Sequence, residues 1–160
     1  MGWRRVFRNR LEAPAGGFTL LELTIVLAIV AVLATLALPA YRSYWLRAHR
    51  AEARAALMSL AAAQEQYYLT CHAYVADLNA DRATSCDPAQ LRFPARSEHG
   101  LYSLTVSAAD AETWSATATA APDAGQALDS ACQVFGLDSV GAKTAVATDG
   151  TATDTLCWGR

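Results

Sequence analysis

Between Phe18 and Leu38 the chain runs FTLLELTIVLAIVAVLATLAL, 21 residues with a single charge, Glu22. As a helix this run is about 31 Å long, enough to cross the hydrocarbon core of a bilayer. A hydrophilic, arginine-rich stretch, MGWRRVFRNRLEAPAGG, precedes it. A carboxylate within a spanning helix costs about 2.5–3.5 kcal/mol on insertion scales, so Glu22 needs a reason.

Three kinds of N-terminal segment are weighed. A secretory signal has a shorter apolar region and a small-x-small cleavage site, and Ala28 to Ala40 contains no Ala-x-Ala. A lipoprotein needs a cysteine at the end of the run, and the first cysteine is Cys71. A plain uncleaved anchor gives Glu22 no role. A cut between Gly17 and Phe18 does: it creates an α-amine on Phe18, four residues before Glu22. That amine, on the same helix or on a neighbouring one, supplies the missing counter-charge. In an apolar bundle such pairing sets axial register, because any other stagger leaves a buried charge alone.

Gly17 followed by Phe-Thr-Leu-Leu-Glu and an uninterrupted apolar run resembles the class III signal of type IV pilins and pseudopilins. The resemblance implies cleavage after Gly17 by a prepilin peptidase, N-methylation of Phe18, docking through Glu22 and a helix kink at Pro39. Gly16 stands where the family often has lysine, and the leader is long.

Beyond the run, charge is partitioned. The basic residues up to Arg54 (Arg4, Arg5, Arg8, Arg10, Arg42, Arg47, Arg50, Arg54) flank the apolar block. From Cys71 onward five basic residues (Arg82, Arg92, Arg96, Lys143, Arg160) face eleven acids (Asp77, Asp81, Asp87, Glu98, Asp110, Glu112, Asp123, Asp129, Asp138, Asp149, Asp154). The acidic half reads as a solvated head, and it disfavours nucleic acid as a partner, since that binding starts with phosphate neutralisation. Arginines at both ends leave the positive-inside rule near a tie. The processing signal and the cysteines place the C-terminal part outside the cytoplasm.

Four cysteines in an exported domain point to disulfides. Of three pairings, Cys71–Cys86 with Cys132–Cys157 closes two local loops, each stabilising by about 3 kcal/mol in the chain-entropy model. No Cys-x-x-Cys suggests zinc, and no metal or cofactor is expected.

Helical character continues past Pro39 to about Leu69, with Leu46, Ala53, Leu57, Leu60 and Tyr67 on one side and Arg47, Arg50 and Arg54 in a neighbouring stripe. Tyr41, Tyr44 and Trp45 suit either a membrane interface or packing between subunits. Residues 71–99 read as a loop-rich connector. Alternation predicts strands over Leu101–Val106, with Tyr102, Leu104 and Val106 on one face, and over Trp114–Ala120. Cys132–Leu137 and Lys143–Ala147 read as two more, with Pro122 to Gly125 a break, Gly141 in a turn and an irregular tail.

This gives an α+β fold: a long N-terminal helix on a small antiparallel sheet with a disulfide-stapled C-terminal region. The segments are a leader (1–17), a membrane or filament-core helix (18–38), an amphipathic helix (39–70) and a globular head (71–160). The arrangement again resembles the type IV pilins, most of all PilE-type minor pilins.

The resemblance implies a structural subunit of a surface filament serving adhesion, twitching motility or DNA uptake. It would wait in the inner membrane with its head in the periplasm, and its partners would be other pilin subunits, the prepilin peptidase and the inner-membrane assembly platform. A type II secretion pseudopilin and a DNA receptor pilin for transformation are the alternatives. No catalytic residues emerge. His49, His72 and His99 stand apart from any Gly-x-Ser-x-Gly elbow, there is no phosphate loop, and Asp77 and Asp81 lack a full calcium-loop pattern.

Overall fold

In the computed structural model, residues 17–78 and 91–159 are described. The chain divides into two compact units, 1–40 and 41–160, and helix α1 (Leu20–Cys71) contributes to both. It stays helical through Pro39 and ends two residues beyond the expected stop.

In the first unit the helix has no core to pack on. Every residue from Leu20 to Ala40 is exposed except the half-buried Ala34. Its hydroxyls are satisfied within the helix: Thr24 Oγ1 donates to the Leu21 carbonyl at 2.8 Å and Thr35 Oγ1 to that of Val32 at 2.7 Å. Such bonding hides polar groups from an apolar surrounding.

In the second unit the same helix buries Arg50, Ala53, Leu57, Leu60 and Gln64. The spacing alternates three and four residues, one stripe of an α-helix. Against it lies a four-stranded antiparallel sheet in the order β1-β2-β3-β4: β1 (Tyr102–Ala109), β2 (Trp114–Ala120), β3 (Val134–Asp138) and β4 (Lys143–Val146). The inner face carries Tyr102, Leu104, Trp114, Ala116, Ala118, Ala120, Phe135, Leu137 and Ala145. On the outer face Thr105 and Thr117 share a hydroxyl hydrogen bond of 3.0 Å across β1 and β2.

Strand bounds fall within three residues of expectation, and β2 coincides with it. The β1–β2 turn is tied by Asp110, whose Oδ1 accepts from the amides of Glu112 and Thr113. At the β3–β4 turn Gly141 has φ +81°, a left-handed conformation that favours glycine. The break near Pro122 leads into a short 3₁₀ turn, the η-turn (Gly125–Leu128).

Two expectations are corrected. The tail is not wholly irregular: Asp154–Trp158 forms a short helix, α2. Its fold is imposed from outside, by Asp154 accepting from the Ala145 amide, by Trp158 Nε1 donating to the Thr144 carbonyl at 2.7 Å and by the Cys132–Cys157 disulfide. Arg50, expected in a stripe with Arg47 and Arg54 beside the apolar side, instead belongs to the buried side itself. It is buried, and its guanidinium grips Asp129 through two bonds of 2.7 and 2.9 Å.

Candidate functional site

The residues read as the processing and assembly site lie at the start of α1. Gly17 and Phe18 precede the helix, both exposed, Phe18 at 86%. A Cβ built on Gly17 would meet nothing within 4 Å, so the chain itself imposes no demand for glycine there. Thr19 caps the helix, its Oγ1 accepting from the Glu22 amide at 3.1 Å. Threonine at the cap with glutamate three positions on is the Ser/Thr-x-x-Glu start signal, and it puts the acid at the positive end of the helix dipole. Sequence reading had overlooked Thr19, although the Thr-x-x-Glu spacing was visible. Glu22 is exposed, on a turn whose other side chains are Leu20, Leu21 and Leu23.

Of the remaining site residues, Pro39 lies within α1 and is exposed. Cys132 and Cys157 are bonded as expected. Cys71 is half-buried at the end of α1 with no disulfide among the described residues, and its expected partner Cys86 lies outside them. Asp81 also lies outside them.

In the head, a buried polar cluster ties α1 to the loop after β2. Besides the Arg50–Asp129 pair, Gln126 Nε2 donates to the Leu46 carbonyl at 3.2 Å and to Asp129 Oδ2 at 3.0 Å. Tyr102 stands beside it, and burial, reinforced by the Asp129 charge, lifts its phenol well above the ordinary tyrosine value. Lower on the same helix Gln64 bonds both backbone groups of Val75, at 2.6 and 3.2 Å. These side chains fix the connector and the η-turn against the helix. They hold no reacting group.

The C-terminal staple forms a second surface feature. Trp158 packs edge-on to Phe135 at 5.9 Å, Lys143 Nζ lies 5.4 Å over its ring, and Arg54 Nη1 donates to its carbonyl at 2.9 Å. One cation thus covers the partly exposed indole of Trp158, and a second holds the backbone of the same residue.

The three histidines do not assemble. His49 packs on Trp45, ring centres 4.0 Å apart; His72 stands edge-on to Tyr68; His99 bonds Glu52 through both its amide and its ring.

Comparison with known proteins bears on both regions. Residues 14–38 match the model of the prokaryotic N-terminal methylation motif. Residues 39–136 match the model described as type IV minor pilin ComP, DNA uptake sequence receptor. A type IV major pilin protein PilE1 of Neisseria gonorrhoeae is 39% identical over 94 residues, 59% of this chain and 40% of the relative. A fimbrial protein of Neisseria meningitidis serogroup B is 51% identical over 53 residues, 33% of this chain and 31% of the relative. Fimbrial protein EcpC of Eikenella corrodens is 51% identical over 43 residues, 27% of this chain and 28% of the relative. The chain spans less than half the length of the curated relatives it matches.

Proposed function

Because this chain belongs to the family of type IV minor pilins described as ComP, DNA uptake sequence receptor, we propose that it is staged in the inner membrane as a prepilin, cut between Gly17 and Phe18, and built into a type IV pilus as a minor subunit. One observation carries this: a 21-residue apolar segment, exposed but for the half-buried Ala34, that bears one acid, Glu22, the fifth residue after the scissile bond. Apolar surface on that scale needs lipid first and neighbouring helices later.

Each site residue then has a task. Gly17 meets a demand set by the peptidase, since nothing in this chain requires it. Cleavage frees the Phe18 amine, which is then N-methylated and remains cationic. Glu22 pairs with that nitrogen, on its own helix or on the adjacent subunit, and so fixes the stagger at which helices pack. Pro39 lacks a backbone donor and so weakens the helix ladder where the apolar run ends. The head lies in the periplasm before assembly and on the pilus afterwards.

Mass spectrometry of the protein recovered from membranes tests this. The expected N-terminus is methylated Phe18. A mature chain still carrying Arg4 and Arg5, or one trimmed beyond Leu38, would rule the reading out.

A second reading, reception of DNA, is favoured by the family match over residues 39–136. The acidic balance of the head had argued against it. The balance is an average, however, and phosphate needs only a local cationic surface. Lys143 and Arg54, both gathered at Trp158, supply one. A gel-shift titration with the full chain in detergent should show DNA binding that weakens with salt and weakens further in Lys143→Ala. Absence of any salt-sensitive shift would leave the structural role alone.

A further inference from the structure

On the head, a groove of about 540 Å³ is lined by Tyr41, Arg42, Trp45, Leu46, Gly125 and Leu128. Its parts come from the first turns of the head's portion of α1 and from the η-turn. The aromatic wall is built rather than loose. Trp45 packs on His49 on one side, and a Cβ added to Gly125 would come within 3.0 Å of Trp45 Cη2 on the other, so glycine makes room for the indole. Leu128, at the tip of the η-turn, is 78% exposed, and Tyr41 is 67% exposed. Among the described residues this leucine on its turn and the tyrosine are left largely uncovered.

What covers it follows from position and charge. Tyr41 is the third residue after Leu38, where the apolar run ends. A run matched to a hydrocarbon core of about 30 Å puts the next turn of helix, about 5 Å further on, in the headgroup layer. Tyrosine and tryptophan favour that layer, each with an apolar body and a polar tip. The lining includes the cation Arg42 and no carboxylate. The nearest acid on the η-turn side, Asp129, is already held by Arg50. The groove thus offers a guanidinium for phosphate and indole, phenol and leucine for the upper acyl chain.

We propose that this groove docks on phospholipid of the leaflet from which the apolar segment emerges, so that the head rests on the membrane through Leu128 and Trp45 before assembly. The proposal depends on the membrane staging argued above. It makes leaving the lipid a separate step from withdrawing the helix, because the head's own contact must also be given up.

The test uses the full chain in vesicles of phosphatidylethanolamine and phosphatidylglycerol, doped with a phospholipid bearing a photoactivatable diazirine just below the glycerol. After irradiation and proteolysis, lipid adducts are mapped by mass spectrometry. The expected result is adducts within 18–38 and also on 41–46 and 125–129. Leu128→Asp should cut those on 125–129 at least roughly fivefold while leaving those within 18–38 unchanged, the loss expected when an apolar contact becomes a charge. Leu128 is exposed, so an unchanged thermal melt is the control for folding. Adducts confined to 18–38 would overturn the groove proposal and spare the membrane reading. No adducts in 18–38 would sink both.

Discussion

Two halves of one helix differ in composition and meet opposite fates: one charged residue stands in 20–40, whereas 41–71 carries Arg42, Arg47, Arg50, Glu52, Arg54 and Glu65. Before Ala40, Leu23, Ile29, Leu33 and Leu36 are each more than half exposed. After it, Ala53, Leu57 and Leu60 are fully buried. What differs is the distribution of polarity. The first half is apolar on all sides, so no face can be offered to water and none is singled out for a core. The second half has one apolar stripe, and the sheet covers it. On the proposed function the first half serves association and the second folding, and substitutions should separate those two effects.

The largest separation is expected at Glu22. Glu22→Ala should leave cleavage and the melting of the head unchanged and lower incorporation into filaments at least tenfold, since a register-setting charge left without its partner costs roughly 3–5 kcal/mol. Quantitative immunoblotting of sheared pili checks this. Normal incorporation would end the docking role of the carboxylate.

Next comes the buried pair of the head. Asp129→Ala strands the Arg50 guanidinium at 8% exposure and should destabilise the head by about 3–5 kcal/mol. Replacing both partners by Arg50→Met with Asp129→Leu should recover most of that loss, because the price of such a site is the unpaired charge. Leu57→Ala should cost about 2–5 kcal/mol in the same denaturation assay, whereas Leu33→Ala, in the uncovered half, should leave the melt of the head where it was. Equal effects of the two leucine changes would erase the distinction between the halves.

The staple follows. Cys132→Ser opens a loop of sequence separation 25 and should lower stability by about 3 kcal/mol, with α2 the first element to lose protection from hydrogen exchange. Unchanged protease resistance of the variant would show that α2 holds without its covalent tie.

How much of this could be read in the sequence depends on how local the cause was. The apolar run, the cleavage motif and the strands announce themselves by composition and by period, and β2 shows it plainly: Trp114, Ala116, Ala118 and Ala120 alternate with serine and threonines, and the alternation is the burial pattern. Thr19 was equally local and was passed over. Arg50 was not legible in the same way. A helical arginine is ordinarily solvated, and the acid that draws this one inward lies 79 residues away, on a turn whose position depends on the sheet. Gln64 sits on the apolar stripe for a similar reason, its partner being the backbone of Val75. In α2 the helix is only five residues long, too short to persist on propensity alone. The disulfide and the edge of β4 hold it.

The smallest effect concerns Glu52, on the side of α1 facing residues 97–99. Its carboxylate accepts from the His99 amide at 3.0 Å and lies 3.1 Å from the His99 ring nitrogen. Burial alone would raise its pKa, but hydrogen bonds from Ser97 and His99 outweigh burial and hold it below the ordinary glutamate value. A carboxyl whose pKa is lower in the folded chain contributes its full stabilisation above the unfolded value, near 4.3, and loses it as pH falls through the folded one. With His99 largely in solvent, that contribution is about 1 kcal/mol or less. Hydrogen exchange at residues 97–100 should therefore stay slow from neutral pH down to about 4.3 and quicken only below it, while β1 remains protected. Glu52→Gln should remove the acid step and quicken exchange modestly at every pH. Unchanged protection at residues 97–100 below about pH 4.3 would separate this contact from the charge on Glu52.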